Sequence, residues 1–320
     1  MNSQVKILFV LCISVLWAFN SFAQENNLFL VVSPPSPSPG QSYSVEAKSF
    51  QFDTSRAYFE WFKDSKKIDE GNGITKKIFA GEKIGAQTKI SVISAKNSAS
   101  AQIGVNDIDF VINPLTHIPV FYRGSALPSA GSIVEVYAVP HLYSDSSRIS
   151  ASNLIFEWSL DNKIIAEQSG RGKNKFIFSL PKTSLGSNQI ILKTSSLNGA
   201  VTFEKRVAVE IHRPEVILYK HSSLLGKYTR ALSSFEAKSG EEFSVAAEPF
   251  FFDINSILRS AVSWFANESK ISAGAGANPF LLELTSQSGE ESETNISFKI
   301  EDKENVFQKG EGRITVKINP

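Results

Sequence analysis

Apolar and polar residues alternate along most of this chain, in short runs that turn residues separate. Three of these runs follow a glycine closely, at 42–47, 132–137 and 242–247. A period of two places every second side chain on one face of a β-strand, so each run predicts a strand with one buried face. No stretch longer than a turn keeps a helical period after residue 23. The pattern therefore predicts an all-β protein.

A short apolar run that ends in tryptophan occurs three times, at Trp61, Trp158 and Trp264. Each tryptophan is followed three residues later by Asp or Asn, then by Lys and Ile, and then by Gly-x-Gly. Spacings of 97 and 106 residues between the tryptophans indicate three tandem copies of one domain. We predict these copies at 24–106, 107–212 and 213–320, and call them the first, second and third repeats.

The surroundings of the three tryptophans bear on their role. One interpretation makes them exposed platforms on which sugars stack. Their position on a predicted central strand favours a second interpretation, in which Trp61, Trp158 and Trp264 are the buried core residues of the three repeats. The Gly-x-Gly that follows each of them is not succeeded by a helix, so it predicts a hairpin turn with positive φ rather than a phosphate-binding loop.

About seven short strands per repeat, with turn signals between them, are typical of an immunoglobulin-like sandwich. The repeated strand, Trp, Asp/Asn, Lys, Ile and Gly-x-Gly resembles the immunoglobulin-like and PKD-like modules of exported bacterial surface proteins. The resemblance covers essentially all of the chain after residue 23. It implies three tandem immunoglobulin-like β-sandwich domains with structural, adhesive or spacer roles at a cell surface.

Residues 1–23 have the pattern of a secretory signal peptide. Lys6 precedes an apolar run at 7–19, and small residues stand at Ser21 and Ala23, which predicts cleavage after Ala23. The alternative is an uncleaved membrane anchor, but the apolar run is shorter than the roughly 20 residues of a spanning helix. We therefore predict export to the periplasm, the cell surface or the medium. The single cysteine, Cys12, leaves with this segment.

The net charge and the candidate catalytic residues narrow the range of possible functions. Without Lys6 the 33 basic residues become 32 and equal the 32 acidic ones. A net charge of zero argues against non-specific binding to nucleic acid or to anionic membranes. The four histidines lack ligand spacing, and neither a Gly-x-Ser-x-Gly elbow nor a pair of glycosidase carboxylates is recognisable. The sequence predicts no enzyme activity and no cofactor. Asp107 and Asp109 are either part of a solvated linker or, sharing one strand face, two ligands of a calcium site.

The second and third repeats share an insertion that the first repeat lacks, at 121–127 and 227–232. Both insertions carry a tyrosine followed by Ala-Leu, and Tyr122 and Tyr228 are our candidate ligand contacts. We expect a non-enzymatic exported structural or interaction protein, such as a surface stalk or adhesion scaffold. The alternatives are a module that binds carbohydrate or another ligand, and an accessory subunit of a pilus or envelope assembly. Expected partners are other envelope or surface proteins, or glycans.

Overall fold

The computed structural model describes residues 28–144, 147–183, 185–272, 278–286 and 291–320. Nearly all regular structure in these ranges is β, which confirms the predicted fold class. The strands of the first repeat are β1 (Leu28–Ser33), β2 (Ser42–Ser49), β3 (Tyr58–Lys63), β4 (Lys66–Asn72), β5 (Lys76–Ala80), β6 (Gln87–Ser94) and β7 (Asn97–Gly104). The predicted signal peptide and the Gly-x-Gly at 274–276 lie outside the described residues.

The strands of the second and third repeats continue the series. The second repeat has β8 (Asp107–Pro114), β9 (Ile133–His141), β10 (Tyr143–Ser144), β11 (Ser147–Arg148), β12 (Leu154–Leu160), β13 (Lys163–Ile164), β14 (Gly170–Arg171), β15 (Lys175–Ser179), β16 (Ser187–Ser196) and β17 (Thr202–Glu210). The third has β18 (Glu215–Ser222), β19 (Gly226–Ala231), β20 (Ser234–Lys238), β21 (Glu242–Phe250), the helix α1 (Ile254–Arg259), β22 (Ala261–Ala266), β23 (Ser269–Ile271), β24 (Leu281–Thr285), β25 (Ser292–Asp302) and β26 (Asn305–Asn319). Two short 3-10 turns lie at Ala151–Asn153 and Ala166–Gln168.

The chain forms two compact units. The first comprises the described residues up to Val32, with 44–77 and 89–102, and the second comprises 33–43, 78–88 and everything from Ile103 onward. In the first unit β3 pairs antiparallel with β4 and β6, within a sheet of order β4-β3-β6-β7. Trp61 on β3 is fully buried there. The predicted repeat boundaries at 106 and 212 stay a prediction.

In the second unit, the second repeat is a sandwich of two sheets. One has the order β15-β9-β8 and the other β13-β12-β16-β17. Alternate residues of both sheets point into a single apolar core. Trp158 of β12 stacks across this core on Phe176 of β15, with ring centroids 5.3 Å apart. A contact of this kind fixes the distance between the sheets.

The third repeat has the same plan with four strands instead of three in its smaller sheet; its larger sheet has five strands, as in the second repeat, where β14 also pairs with β12. Its sheets have the orders β19-β18-β21-β24 and β20-β26-β25-β22-β23. Val245 and Leu282 of the first sheet share a core with Trp264 and Phe298 of the second. The chain is thus a series of tandem immunoglobulin-like β-sandwiches.

The conserved plan of the repeats explains why tryptophan and Gly-x-Gly occur together. The indole N–H of Trp61 donates to the carbonyl of Ile74 at 2.7 Å, and that of Trp158 to the carbonyl of Lys173 at 2.8 Å. Each acceptor follows directly on a glycine in the left-handed region, with φ +66° at Gly73 and +70° at Gly172. The turn aims a backbone carbonyl at the indole, which satisfies the one polar atom of the buried ring.

The Asp or Asn three residues after each tryptophan connects its hairpin to the neighbouring strand. The turn residues do adopt positive φ, as a tight hairpin requires. Their side chains, however, bond the neighbouring strand rather than their own turn. Asp64 accepts from the backbone N–H of Lys89, and Asp161 from that of Gln189, both at 2.8 Å. The acceptor therefore ties the hairpin to a strand about 25 residues further on in the sequence.

The helix α1, which precedes Trp264, is a departure from the predicted all-β pattern. Asp253 caps it by accepting from the backbone N–H of Ser256 at 3.0 Å. Arg259 in its last turn pairs with Asp302 of β25 at 2.9 Å. Six residues are too short to show a helical period in the sequence, and a tertiary ion pair holds this single turn in place.

Candidate functional site: the junction of the second and third repeats

The two insertions that carry Tyr122 and Tyr228 meet where the second repeat joins the third. The first follows β8, and the second lies mainly on the edge strand β19. Tyr122 is 37% exposed and Tyr228 is 42% exposed. The ring of Tyr122 stands edge-on to the rings of Phe250 and Phe251, at centroid distances of 5.4 and 6.0 Å. One face of Tyr122 is therefore used in packing, and its role as a ligand contact stays a prediction.

Phe121 completes the contact between the insertions. Its ring lies edge-on to Tyr219 at 5.3 Å, and the Lys227 ammonium lies 5.0 Å from its centroid. Burial lowers the pKa of Lys227, which also pairs with Glu248. An aromatic cluster therefore joins the surfaces of two sandwiches. Lys227 lies over one ring of this cluster and pairs with the carboxylate of Glu248.

Backbone pairing continues the same contact. Thr116 forms an antiparallel bridge with Asp253. The N–H of His117 donates to the carbonyl of Phe252, and the carbonyl of His117 accepts from the N–H of Phe251, both at 2.7 Å. The Nδ1–H of His117 donates to the carbonyl of Pro249 at 2.7 Å. The segment after β8 therefore adds itself as a short strand to the third repeat.

A buried glutamine closes the other side of the junction. Gln308 of β26 donates from Nε2 to Ser129 Oγ at 2.8 Å and to the carbonyl of Ala130 at 2.7 Å. Its Oε1 accepts from the backbone N–H of Asp253 at 2.9 Å. Asn305 also donates to the carbonyl of Ala130, at 2.9 Å. Gln308 and Ser129 are fully buried, so these bonds have no competition from water.

Little in the sequence indicates this junction. Gln308 and Asn305 are both buried on β26, where a polar residue is unusual and needs a partner. That is the one signal in the pattern. The partners lie more than 170 residues away, at Ser129 and Ala130, and nothing local identifies them.

Asp107 and Asp109 lie on β8, on the same strand face as expected. Asp107 accepts from the ammonium of Lys205 at 2.8 Å, and Asp109 lies 3.0 Å from Nε2 of His141. Each carboxylate thus has its own cationic or imidazole partner. Among the described residues, no three or more His, Cys, Asp or Glu side chains are grouped to hold a metal ion.

Asp302 next to the junction makes the fold sensitive to acid. Burial raises the pKa of Asp302, but hydrogen bonds from Ser256, the N–H of Glu304 and Arg259 outweigh burial and hold the pKa below its ordinary value. A depressed pKa in the folded state contributes stability above the unfolded pKa near 4, and this stability is lost as the pH falls through the folded pKa.

We therefore expect Asp302→Asn to lower the free energy of unfolding at pH 7 by about 1–3 kcal/mol, since a buried charge-assisted bond is lost. The deficit should shrink as the pH falls through the folded-state pKa of Asp302, which lies below the ordinary value of an aspartate. Urea unfolding of the full chain at pH 7 and at low pH measures it. Glu301→Gln, at the exposed neighbouring position, is the control and should change little. An equal deficit at pH 7 and at low pH would contradict the assignment.

Comparison with known proteins adds the following. No protein-family model matches the chain, and no curated protein sequence matches it. Among solved structures it is similar to the fibronectin(III)-like modules of CbhA from Clostridium thermocellum, at 14% identity over 65% of this chain and 93% of that one, with a TM-score of 0.23. It is also similar to Sidekick-1 immunoglobulin domains 1–4, at 10% identity over 92% and 75%, with a TM-score of 0.24.

A third similar structure is the Bacteroides ovatus mixed-linkage glucan utilization locus protein SGBP-B in complex with a mixed-linkage heptasaccharide. Its identity is 12% over 89% of this chain and 65% of that one, with a TM-score of 0.24. Because these TM-scores are low, the fold assignment rests on the strand pairing and cores described above. No helix in the described parts of the chain combines the length and the apolar character needed to cross a membrane.

Proposed function

We propose that this chain is a non-enzymatic, exported scaffold that holds its second and third repeats in one fixed relation at the cell surface. The junction is the observation that supports it. Domains joined by a short linker normally move against each other unless a large or well-bonded interface prevents it. Here only four residues, 211–214, separate β17 from β18, and the facing surfaces share backbone bonds, an aromatic cluster and a buried glutamine.

A fixed junction suits a stalk or scaffold because it keeps a constant spacing between the second repeat and the third. An enzyme would instead need converging acid, base or nucleophilic groups in a cleft. The bonds that converge at this junction join one repeat to the other, either between backbone groups or through the side chains of His117, Asn305 and Gln308.

The rigidity can be measured by spin labelling. The chain contains one cysteine, Cys12, which lies in the predicted signal peptide, so the chain without it labels only at introduced cysteines. Labels at the exposed positions Ala208→Cys on β17 and Lys317→Cys on β26 span the junction. We expect one narrow distance distribution, as narrow as that of a pair within the second repeat, Ala208→Cys with Ile177→Cys.

Adding Gln308→Ala to the spanning pair should broaden that distribution and leave the pair within the second repeat unchanged. A distribution that is broad before this substitution would contradict a rigid scaffold. A distribution that stays narrow after Gln308→Ala would instead show that this glutamine does not hold the junction rigid.

Export is the second part of the proposal, and residues 1–23 support it. We expect cell fractionation to place the chain in the envelope or the medium, with Gln24 as its first residue by N-terminal sequencing. Crosslinking before fractionation would distinguish an envelope-retained subunit from a released protein. A chain that stays in the cytosol with residues 1–23 intact would contradict export.

A further inference from the structure

The outer face of the larger sheet in the third repeat is a hollow built from three neighbouring strands. The inward side chains of these strands include Trp264 of β22, Phe298 of β25 and Ile314 of β26. Because strand side chains alternate, the next residues along, Phe265 and Arg313, point outward. None of the outward residues is part of the apolar core. The residues of this face therefore contribute little to the apolar core.

Strand register explains why the face is hollow. Phe265, Ser297 and Arg313 lie opposite one another in a row across the three strands. Neighbouring strands are about 4.8 Å apart, so a small central Ser297 leaves a gap roughly 10 Å wide between the two large side chains. Lys299 and Asn295 close the ends of the gap along β25. The resulting cavity has a volume of about 890 Å³.

The charges that line the hollow balance. Its acids are Glu268 and Glu311, and its bases are Lys299 and Arg313. Arg313 bonds Glu311 at 2.8 Å, and this hydrogen bond holds the pKa of Glu311 below its usual range, so the carboxylate stays ionised. A face with equal numbers of opposite charges has no net attraction for nucleic acid or for another polyanion.

Hydrogen bonds within the face hold its amide groups in position. Asn295 accepts at Oδ1 from the hydroxyl of Thr315 at 3.0 Å. The backbone N–H of Asn295 donates to Oδ1 of Asn267 at 2.9 Å. Both amide oxygens are therefore used as acceptors, which turns the amide NH₂ groups into the available donors. Groups held on strands in this way lose little freedom when a ligand binds.

We propose that this face binds a neutral polysaccharide or oligosaccharide. Sugar hydroxyls both donate and accept, and the face offers amide donors, carboxylate acceptors and a guanidinium around one aromatic ring. An open, balanced polar hollow of this size fits a chain of sugars better than a compact apolar ligand, which needs a mostly apolar, enclosing pocket. The inference goes beyond the scaffold role and does not depend on it.

The ring of Phe265 is the expected apolar contact for a sugar face. The Lys299 ammonium lies 5.0 Å from its centroid. An exposed cation–π contact is weak, so moving the lysine aside costs about two- to five-fold in affinity. A stacked sugar can therefore take the place of the Lys299 ammonium on the ring of Phe265.

Affinity electrophoresis of the full mature chain through gels containing neutral polysaccharides tests the proposal. The panel is laminarin, mixed-linkage β-glucan, xylan, mannan and dextran, with heparin as the anionic comparison. We expect retardation by at least one neutral polymer, and a loss of affinity of about ten- to thirty-fold for Phe265→Ala, as for truncation of an aromatic anchor. Phe265→Trp should retain binding.

Phe50→Ala is the matched control, because Phe50 is 92% exposed but lies in the first unit. It should leave retardation unchanged. Calorimetry checks that Phe265→Ala melts like the parent chain, and the spin-label distances, which are independent of this site, report on the scaffold. Retardation by none of the neutral polymers would overturn the proposal. Unchanged binding by Phe265→Ala, or salt-sensitive binding to heparin alone, would overturn it equally.

Discussion

Replacing Trp158 with alanine is expected to destabilise the second repeat by about 3–5 kcal/mol, the largest effect of any single substitution considered for this chain. Trp158 is fully buried between the two sheets, where it stacks on Phe176. Alanine would leave a cavity in a close-packed core and would also remove the partner of the Lys173 carbonyl.

A series of substitutions separates these two losses. Trp158→Phe keeps most of the ring but lacks the indole N–H, so we expect it to cost about 1–2 kcal/mol. Ile155→Ala, on the same strand but on the exposed face, should cost well under 1 kcal/mol. Urea unfolding of the full chain, followed by hydrogen exchange of peptides from each repeat, assigns the loss to the second repeat.

A change below about 1 kcal/mol for Trp158→Ala would contradict the burial of the indole. The tryptophans would then have to be reconsidered as exposed platforms for sugars. The same hydrogen bond from a buried indole N–H occurs at Trp61 and Trp264, which donate to the carbonyls of Ile74 and Pro279 at 2.7 and 3.0 Å.

Gln308→Ala is expected to uncouple the third repeat from the second, at a cost of about 2–4 kcal/mol. The substitution leaves the N–H of Asp253 buried without its acceptor and removes one donor from the carbonyl of Ala130. A buried polar group without a partner pays its full desolvation cost, which here falls on the Asp253 N–H, whereas the Ala130 carbonyl keeps the donor from Asn305.

Differential scanning calorimetry of the full chain measures the coupling. We expect the second and third repeats of the parent chain to melt in one transition and those of Gln308→Ala to melt in two. Lys309→Ala changes the exposed neighbouring residue and should leave one transition. Two transitions in the parent chain, or one in the variant, would show that Gln308 does not carry the coupling.

Much of the fold could be predicted from the sequence because its determinants are local. Alternation along β2, β9 and β21 defines strands with a buried face, and each confirms a prediction made from a run of about six residues. The glycines at 73 and 172 require positive φ, and the structure has it. What the pattern missed was α1, because one capped turn is too short to show a period.

The hydrogen-bond partners of polar side chains could not be predicted from the sequence. Asp161 accepts from the backbone N–H of Gln189 on the neighbouring strand. A carboxylate has several possible donors within a few residues, and only the sheet register decides which of them comes within 3 Å. The same holds for the hollow around Phe265, where Ser297 matters because it is small and lies between two large residues.

Sequence patterns are enough to predict that this chain repeats a β-sandwich plan, that each alternating strand has one buried face, and that a buried tryptophan marks each repeat. The contacts between Gln308 and Ser129, 179 residues apart, and between His117 and Pro249, 132 residues apart, are known only from the folded chain. Burial follows from hydrophobic periodicity, which every short window of sequence carries. Pairing between distant polar groups follows from the register and packing of whole sheets, which no short window contains.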